Sequence, residues 1–410
     1  MLDNWIKTTL GEVITLHRGY DLPAQNRVFG SVPIISSSGL SDRHVEAKIK
    51  GPGVVTGRYG TIGEVFFINE DFWPLNTTLY VADFKGNDPL FVSYLLRTID
   101  FIAHSDKSSV PGVNRNHLHM EPVRIPPLDE QRAIAAMLGA LDDKIELNRR
   151  MNATLEAMAR ALFKSWFVDF DPVRAKMEGC IPYGMDPATA ALFPAAFTDS
   201  PLGPIPAGWQ ITRIGDLATI SREAVNPGAY PDETFDHYSI PAFDGGRLPN
   251  AEMGAQIKSN KYLVSSGAIL VSKLNPRIPR VWLPNTNATH RSICSTEFIV
   301  VSPGQAATRA YLFALFGSPT FLEVFVGRVT GTSSSHQRVK PEDLLDMAAP
   351  MPSAALLNRF SDIVTPFYQR IASNLDESCV LATIRDTLLP KLLSGAVRVR
   401  DAARVMEAAV

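Results

Sequence analysis

An internal repeat constrains the fold of this 410-residue chain more than any other feature of its sequence. Leu118 and Leu344 lie 226 positions apart. Seven further pairs of similar residues share that offset, namely Pro126 with Pro352, Ile134 with Phe360, Leu141 with Phe367, Ile145 with Ile371, Asn148 with Asn374, Leu155 with Leu381 and Leu162 with Leu388. Matches of residue type at a single offset over this length indicate a duplicated unit, so we expect two copies of one fold.

Each copy is predicted to have a β-rich first part and a helical second part. The first part contains short runs of Ile, Val, Phe, Tyr and Trp broken by Gly, Pro and Asn, which is typical of short strands joined by turns. In the second part apolar positions recur in alternating steps of four and three, which is the heptad pattern of a coiled coil. The predicted seam of the first helix is Ile134, Leu138, Leu141, Ile145, Asn148, Asn152, Leu155, Leu162 and Trp166, and that of the second is Phe360, Ile363, Phe367, Asn374, Leu381, Ile384 and Leu388.

Three further features refine this prediction. Asn148 and Asn374 occupy equivalent seam positions, and buried polar residues there fix register and pairing, so we expect the two helices to pack antiparallel within one chain. Pro366 implies a kink or a late start of the second helix. Trp166 and Phe167 are expected either to face a partner or to lie in the core.

These patterns predict an α+β fold of two β-rich domains in pseudo-twofold repeat, separated by the helix pair, which would act as a spacer. The predicted boundaries are 1–127 for the first domain, 128–170 for the first helix, 171–204 for a proline-rich linker, 205–352 for the second domain, 353–395 for the second helix and 396–410 for the tail.

Composition limits the classes of protein. No apolar run reaches the roughly 18 residues of a membrane span, and the N-terminus lacks the pattern of a signal peptide. The three cysteines are scattered, which favours a reducing compartment, so we expect a cytoplasmic protein without disulfides or a zinc site. The net charge is −2, but residues 258–340 carry ten basic residues against two acidic ones, an excess suited to nucleic acid.

No catalytic site is predicted. The glycines of Gly57–Gly63 have the wrong spacing for a phosphate-binding loop, so this segment is either a tight turn between strands or a DNA-contacting loop. Segments near 171–173 and 275–277 only partly match a DNA-methyltransferase motif, and Asp42, Glu46 and Lys48 match a nuclease pattern that is common by chance. His117 and His119 have no third metal ligand nearby, so no metal site is expected.

Four segments identify a family resemblance, and they are PPLDEQRAI at 126–134, LFKSWFVDF at 162–170, PIPAGW at 204–209 and LLPKLLSG at 388–395. With them the chain resembles, over essentially its full length, the specificity (S) subunits of type I restriction-modification systems. One departure is that Ser353-Ala354-Ala355-Leu356 replaces the acidic start of the first helix, which is expected to weaken the local order of the second.

The resemblance implies a non-catalytic, DNA-binding subunit. Each β-rich domain would be a target-recognition domain that reads one half of a gapped double-stranded DNA site, and the helices would set the gap and dock two methyltransferase subunits. Those subunits would hold S-adenosylmethionine and flip out an adenine, and separate restriction subunits would use ATP and Mg²⁺. This chain is expected to bind none of these cofactors.

Candidate DNA-binding residues are predicted from side-chain chemistry, since arginine, asparagine and glutamine pair with base edges while lysine and hydroxyl side chains contact phosphates. In the first domain they are Arg18, Tyr20, Arg27, Arg58, Tyr59, Ser108, Ser109, Asn114 and Arg115. In the second they are Lys273, Asn275, Arg277, Arg280, Thr332, Ser333, Ser334, His336, Gln337, Arg338 and Lys340. Two alternatives stay open: a coiled-coil scaffold that does not bind DNA, and a stand-alone restriction enzyme with fused recognition domains.

Overall fold

The computed structural model describes residues 4–104, 112–286, 289–305, 307–330 and 337–402. The first half forms a run of short strands and helices that ends in a helix of 40 residues. In chain order its elements are β1 (Ile6–Thr9), α1 (Leu10–Val13), β2 (Thr15–Arg18), β3 (Val32–Ser36), β4 (Gly39–His44), β5 (Gly53–Gly57), β6 (Val65–Ile68), β7 (Trp73–Pro74), β8 (Thr78–Asp83), α2 (Pro89–Arg97), α3 (Arg115–His119), β9 (Pro122–Ile125) and α4 (Leu128–Phe167).

The rest of the chain continues with two short helices and then a second β-rich run, which also ends in a helix of 40 residues. Its elements are α5 (Asp171–Met177), α6 (Pro187–Ala191), β10 (Phe197–Thr198), β11 (Ile205–Pro206), β12 (Gln210–Arg213), α7 (Ile214–Leu217), β13 (Ala218–Ser221), β14 (Ala224–Val225), β15 (Thr234–Tyr238), α8 (Ile240–Asp244), β16 (Asn250–Met253), β17 (Lys261–Leu263), β18 (Ile269–Ser272), β19 (Val281–Trp282), β20 (Arg291–Cys294), β21 (Phe298–Pro303), α9 (Arg309–Phe316), α10 (Pro319–Gly327), α11 (Pro341–Leu345), β22 (Ala348–Met351) and α12 (Ala354–Leu393).

The repeat seen in the sequence is a repeat of structure. Helix α11, strand β22 and helix α12 follow α3, β9 and α4 at the same offset that relates the matching residues. A four-stranded sheet with the order β2-β8-β5-β6 in the first half corresponds to β13-β21-β18-β19 in the second. The small pairs β1-β9 and β12-β22 also correspond. The two halves therefore share one α+β topology, as predicted.

The halves differ in the sheet beside this shared framework. The first half has a three-stranded sheet with the order β4-β3-β7, whereas the second has a five-stranded sheet with the order β14-β17-β20-β15-β16. Among the described residues of the first half, no helix corresponds to α10. Duplication therefore preserved the framework but not the additional sheets.

The chain divides into two compact units, and both long helices contribute to each of them. Unit 1 contains Met1–Glu146 and Ser378–Val410. Its core joins the framework sheet and α2 to apolar side chains of both long helices, and examples are Leu10, Phe91, Leu138 and Leu388. Because burying a large apolar side chain stabilises by roughly 1.5–3 kcal/mol, this packing holds the β-rich part on the helices.

Unit 2 spans Leu147–Glu377 and has an aromatic core. Phe163 and Phe167 of α4 contact Phe360 of α12 with ring centroids 6.0 and 5.1 Å apart, and Phe167 contacts Tyr311 of α9 at 5.3 Å. The early part of α12 thus packs on the late part of α4, so the two helices run antiparallel within this unit.

Both helix starts are ordered. Helix α4 begins at Leu128 with two acidic residues in its first turn, which suits the positive end of the helix dipole. Helix α12 begins at Ala354, and the Ser353 hydroxyl accepts a hydrogen bond from the Leu356 N–H at 3.3 Å. The expected weakening of this start is therefore offset by a serine cap. The alternative that the second helix starts late, at Pro366, was wrong, because α12 is continuous from Ala354 to Leu393.

The segment predicted as a linker, 171–204, is more ordered than that term implies. It contains α5 and α6, and Val173 and Phe193 are buried. The Phe193 ring packs edge-on against Trp166 at 5.2 Å. Trp166 and Phe167 are each 3% exposed, so the core alternative holds for both and the partner-facing alternative was wrong.

Candidate DNA interface

In unit 1, five of the sequence-predicted residues come together around one surface depression. It has a volume of about 320 Å³ and is lined by Arg18, Arg58, Tyr59, Leu79, Val113, Asn114 and Arg115. These residues lie far apart in sequence, on the end of β2, the turn after β5 and the segment that leads into α3. The fold thus gathers three arginines and an asparagine on one face.

Main-chain hydrogen bonds fix this arrangement. The N–H groups of Arg58 and Tyr59 donate to the Thr77 carbonyl at 2.9 and 3.1 Å, and the Val113 N–H donates to the Arg58 carbonyl at 3.0 Å. Gly112 allows the close approach, since a Cβ atom there would lie 2.2 Å from the Tyr59 ring. The segment 57–63 is therefore a turn between β5 and β6 that is bonded to the start of α3.

The side chains at the depression are positively charged and accessible. The Arg58 guanidinium lies 4.5 Å from the centroid of the Tyr59 ring, which orients it by a cation–π contact. Arg18 remains 53% exposed, with Asp21 at 3.9 Å as its carboxylate neighbour. Guanidinium groups held in this way can donate two hydrogen bonds to a guanine edge or to a phosphate.

The other predicted residues of this unit have different surroundings. The Tyr20 hydroxyl lies 3.0 Å from that of Tyr80, and burial together with this hydrogen bond raises the pKa of Tyr80 to about 12. Arg27 forms an ion pair with Asp42 at 3.2 Å and does not line the depression. The Asn114 side chain accepts a hydrogen bond from the Asn116 N–H at 3.0 Å, so it caps α3 as well as lining the depression.

Unit 2 repeats this construction in the turn between β18 and β19. The Val339 N–H donates to the Lys273 carbonyl at 3.1 Å, which corresponds to the bond from Val113 to Arg58. The Asn275 N–H donates to the Gln337 carbonyl at 3.0 Å. Lys273 is therefore the structural equivalent of Arg58, and both project from a turn bonded to the segment before a short helix.

Asn275 has an unusual conformation for a side-chain-bearing residue. Its φ is 46°, in the left-handed region that asparagine tolerates better than most residues. Its side-chain oxygen is buried and has no hydrogen-bond partner among the described residues. Its neighbour Arg277 is exposed and forms no ion pair within the described residues. The turn thus carries the exposed guanidinium of Arg277 and an asparagine, Asn275, in a left-handed backbone conformation.

Carboxylates neutralise much of the basic stretch that the sequence suggested. Arg280 binds Asp244 through two hydrogen bonds of 2.7 and 2.8 Å. Arg338 binds Glu297 in the same way at 3.0 and 2.8 Å. Since each carboxylate occupies the Nε–Nη2 edge of the guanidinium and neutralises its charge, Arg280 and Arg338 are less available to DNA than the sequence suggested.

Two more basic residues of the stretch are also engaged. Arg291 pairs with Glu233 at 2.7 Å, and Arg309 donates to the Ala268 and Pro284 carbonyls at 2.9 Å. Burial lowers the pKa of Arg309. The exposed Arg277 and Lys340 and the half-buried Lys273 and Gln337 remain as the accessible predicted residues of this unit. Ser108, Ser109, Thr332, Ser333, Ser334 and His336 lie outside the described residues.

The carboxylates that bind some of the arginines and not others were not predicted from the sequence. Asp244 and Glu297 lie 36 and 41 positions from the arginines they bind, and they reach them only through the folded sheet. No spacing pattern in the sequence links such partners. The carboxylates therefore had no sequence signal, whereas the basic residues did.

Most seam residues are buried where the long helices pack. Among them Ile134, Leu138, Leu141, Leu381 and Leu388 are buried in unit 1, and Asn148, Asn152, Trp166, Phe360 and Asn374 in unit 2. Ile145, Leu155, Leu162, Ile363, Phe367 and Ile384 are half-buried. The predicted seam omitted Val364, which is fully buried next to the half-buried Ile363. The offset of the repeat relates Val364 to Leu138, which is also fully buried.

The polar seam positions bond to one another in unit 2. The Asn374 amide donates to the Asn152 side-chain oxygen at 2.7 Å, and the Asn148 amide donates to Glu377 at 2.8 Å. Asn148 and Asn374 are at most 1% exposed. A buried asparagine pair of this kind specifies one register of the helices, because sliding would leave amides unsatisfied.

The residues considered for other chemistry have structural contacts. His119 accepts a hydrogen bond from the Leu16 N–H at 3.0 Å, and its pKa is lowered by burial and by nearby positive charges. Asp42 pairs with Arg27. Among the described residues, no group of three or more His, Cys, Asp or Glu side chains is placed to hold a metal ion.

Within the part of the chain that the structure describes, no single helix has the length and apolar composition needed to cross a membrane. The bent pair Arg309–Phe316 and Pro319–Gly327, with 64° between its helices, meets the length and composition criteria together.

Comparisons with known proteins agree on one family. Residues 3–157 match the type I restriction modification DNA specificity domain. The chain is 24% identical over 309 residues to the type I restriction enzyme MjaIX specificity subunit of Methanocaldococcus jannaschii, which covers 72% of this chain and 65% of that protein. It is 27% identical over 401 residues to the type I restriction enzyme HindI specificity subunit of Haemophilus influenzae, which covers 82% of this chain and 84% of that protein.

A solved structure shares the fold. The crystal structure of the type I restriction-modification system S subunit from M. genitalium superposes with a TM-score of 0.60 and 16% sequence identity, over 95% of this chain and 96% of that one. The matched specificity domain and the two relatives make the chain similar to the specificity subunits of type I restriction-modification systems, and the solved S subunit shares its fold.

Proposed function

We propose that this protein is the sequence-reading subunit of a type I restriction-modification complex and that it recognises a gapped, bipartite site in double-stranded DNA. The observation that carries the proposal is the repeated turn, which presents Arg58 in one unit and Lys273 in the other. Each turn is bonded to the segment before a short helix, and each lies among further basic or amide side chains. Two equivalent basic surfaces suit two half-sites of one DNA target.

The proposed chemistry is binding and positioning. The long helices would dock two methyltransferase subunits and fix the distance between the two half-sites. S-adenosylmethionine would be bound by those subunits, and ATP and Mg²⁺ by restriction subunits, so this chain would bind no cofactor and catalyse no reaction. Recognition would combine contacts to base edges with phosphate contacts that depend on salt.

Methylation mapping tests this proposal directly. DNA is taken from cells that express this chain with its cognate methyltransferase subunit, and the modified adenines are mapped by sequencing. A second strain carries a chain in which residues 205–352 are exchanged for the equivalent segment of another specificity subunit. We expect a bipartite motif in which only one half changes after the exchange.

Two results would contradict the proposal. Methylation of the same motif after the exchange would mean that the second half does not read DNA. Methylation that proceeds without any copy of this chain would favour a coiled-coil scaffold without a role in recognition. Immunoblots of both chains provide the control for equal expression.

A further inference from the structure

Unit 2 contains a cavity of about 470 Å³ that no part of the proposed DNA recognition uses. Its helical wall includes Ala159 on α4, Ala314 on α9, Gly317 at the end of α9, and Tyr368 on α12. The opposite wall comes from the second β-rich part and includes Trp282. The cavity therefore lies where the framework meets the long helices.

The equivalent place in unit 1 is filled by an ionic network. The Tyr94 hydroxyl donates to Asp142 at 2.7 Å, Arg97 donates to the same carboxylate oxygen at 3.1 Å, and Arg385 donates to the other oxygen at 2.6 Å. The Arg97 guanidinium also lies 4.8 Å from the centroid of the Tyr94 ring. Three large side chains thus converge on one carboxylate.

The repeat shows what replaces this network in unit 2. At the offset of the long helices, Asp142 corresponds to Tyr368 and Arg385 to Ala159. Asp88 and Thr308 are the N-caps of α2 and α9, and each accepts a hydrogen bond from the N–H group three residues later.

That alignment of N-caps makes Ala314 the equivalent of Tyr94 and Gly317 the equivalent of Arg97. All four replacements line the cavity, and three of them are small residues. Loss of a tyrosine and two arginines therefore opens the space.

The walls combine aromatic rings with three carboxylates, Glu156, Asp236 and Asp376, and two guanidinium groups, Arg160 and Arg247. Phe243, Trp282, Phe313 and Tyr368 contribute rings, and Trp282 packs edge-on against Phe243 at 5.5 Å. Asp376 lies on the wall with the Asn285 amide at 3.3 Å as its hydrogen-bond donor, and it forms no ion pair within the described residues. Such a surface attracts a cation through both the carboxylate and the ring faces.

One guanidinium of the chain is already held by this combination. Arg247 lines the cavity, forms an ion pair with Glu156 at 2.5 Å and lies 5.4 Å from the centroid of the Phe243 ring. The contact shows that a carboxylate and an aromatic ring of this wall can hold a planar cation together. Asp376 and the rings of Trp282 and Tyr368 also line the cavity, and Arg160, the other guanidinium of its wall, pairs with Glu156 at 3.9 Å.

We propose that this cavity binds a small organic cation, a guanidinium or ammonium group carried on an apolar or aromatic body. The volume falls in the range of small-molecule sites, roughly 300–1,000 Å³. The apolar body replaces the packing that Tyr94 supplies in unit 1, and the cationic group replaces Arg97 and Arg385.

Binding of benzylguanidinium to the full chain tests the proposal. Titration followed by calorimetry and ligand-observed NMR is expected to give a saturable site with a Kd below about 1 mM. Benzyl alcohol and phenylacetate have similar bodies without the positive charge, and they should bind at least about tenfold more weakly.

Variants locate the site. Ala314→Tyr restores the residue of unit 1 and fills the cavity, so it should weaken binding by about tenfold or more. Asp376→Asn should weaken benzylguanidinium binding about threefold to tenfold and leave the affinity for benzyl alcohol unchanged. Glu323→Gln, an exposed acid on α10 outside the cavity, is the matched control and should have no effect.

Three results would overturn the proposal. The first is no saturable binding of benzylguanidinium up to about 10 mM, and the second is an affinity for benzyl alcohol equal to that for benzylguanidinium. The third is an unchanged benzylguanidinium affinity in both Ala314→Tyr and Asp376→Asn. Thermal unfolding of each variant shows whether it is folded. If Ala314→Tyr fails to fold, Ala159→Leu fills the same space with a smaller side chain and replaces it. The test involves no DNA, so its outcome is independent of the proposed function.

Discussion

Arg58 and Arg338 both lie on the candidate DNA interface, but their electrostatic surroundings differ. Arg338 is held by Glu297 through two hydrogen bonds, and this bond raises its pKa further. Arg58 contacts the Tyr59 ring and forms no ion pair within the described residues. An arginine that is oriented but not neutralised can exchange water for a base edge or a phosphate without first breaking an ion pair.

Arg58→Ala is therefore expected to weaken binding to the cognate duplex by about 1–3 kcal/mol, the range for a lost bidentate base contact. The affinity is measured by fluorescence anisotropy on the assembled methyltransferase complex at fixed salt. Arg27→Ala is the control, because Arg27 forms an ion pair with Asp42 and does not line the depression. Equal losses for the two variants would show that general charge, and not the position of Arg58, determines affinity.

Lys273 is expected to act differently, because an ammonium group on a flexible chain contacts phosphates as a point charge and specifies a base less well than a guanidinium does. Lys273→Ala should weaken binding to cognate and unrelated duplexes by the same factor. It should also lower the slope of log K against log salt by about 1. A variant that changed sequence preference and left the salt slope intact would assign Lys273 to base reading.

At the scale of elements, Asp142 fastens α2 to both long helices in unit 1. Burial alone raises the pKa of Asp142, but hydrogen bonds from Arg385 and Tyr94 outweigh it and hold the pKa below its usual value. A carboxyl with a lowered folded-state pKa contributes stability that is present above the unfolded pKa of about 3.9. That contribution is lost as the pH falls through the folded value.

Asp142→Asn should lower the free energy of unfolding by about 1–3 kcal/mol at pH 7, because two arginines lose their charged acceptor. The loss should shrink as the pH falls below about 4, where the Asp142 carboxyl of the unfolded wild-type chain becomes protonated, and it should vanish at the lower pH where the folded carboxyl is protonated too. Urea unfolding of the wild type and the variant at pH 7 and at a pH below about 4 measures the difference in the free energy of unfolding. Asp386→Asn is the control, since Asp386 also binds Arg385 but is 63% exposed. A deficit that did not vary with pH would exclude the ionic explanation.

The asparagine pair in the helix seam makes a second prediction for the elements. Asn152→Leu removes the side-chain oxygen that accepts the 2.7 Å hydrogen bond from the buried Asn374 amide, so it should cost about 1–3 kcal/mol. Replacing both asparagines with leucine should recover most of that loss, because neither amide is then buried unsatisfied. Thermal unfolding of the two single variants and the double variant gives the coupling energy. Additive losses would mean that the two side chains stabilise independently.

The sequence was sufficient to predict those features that depend on local pattern. The heptad steps located both long helices, and the second ends at Leu393, close to the predicted boundary at 395, where Gly395 has a φ of 72°. The 226-residue offset aligned α3 with α11 and β9 with β22. These succeed because periodicity and backbone preferences act over a few neighbouring residues.

Features that depend on distant partners could not be predicted. Arg280 and Arg338 looked like Arg58 in sequence, but only the fold brings Asp244 and Glu297 to them. Val364 is buried and Ile363 is half-buried because the packing of unit 2 sets the face of α12, and both residues satisfy the apolar pattern. The replacement of Tyr94 by Ala314, which lines the cavity, becomes visible only when the structures of the two halves are aligned.

For the whole molecule, the repeat implies that the two halves contribute separately to DNA affinity. Arg58 and Lys273 lie in different units and occupy equivalent turns. Sites that share no partners usually have additive effects, within about 0.3–0.5 kcal/mol. The double variant Arg58→Ala with Lys273→Ala should therefore lose the sum of the two single losses.

A comparison of targets separates two readers from one continuous surface. On a duplex whose first half-site is scrambled, Arg58→Ala should cost little further affinity, because the base contact it removes is already absent. Lys273→Ala should retain its full effect on that duplex, since phosphates are present in any sequence. Anisotropy titrations of both variants on intact and half-scrambled targets measure these four losses. If scrambling one half-site abolished the effects of both variants, the halves would read DNA as a single cooperative unit and the repeat would not divide recognition.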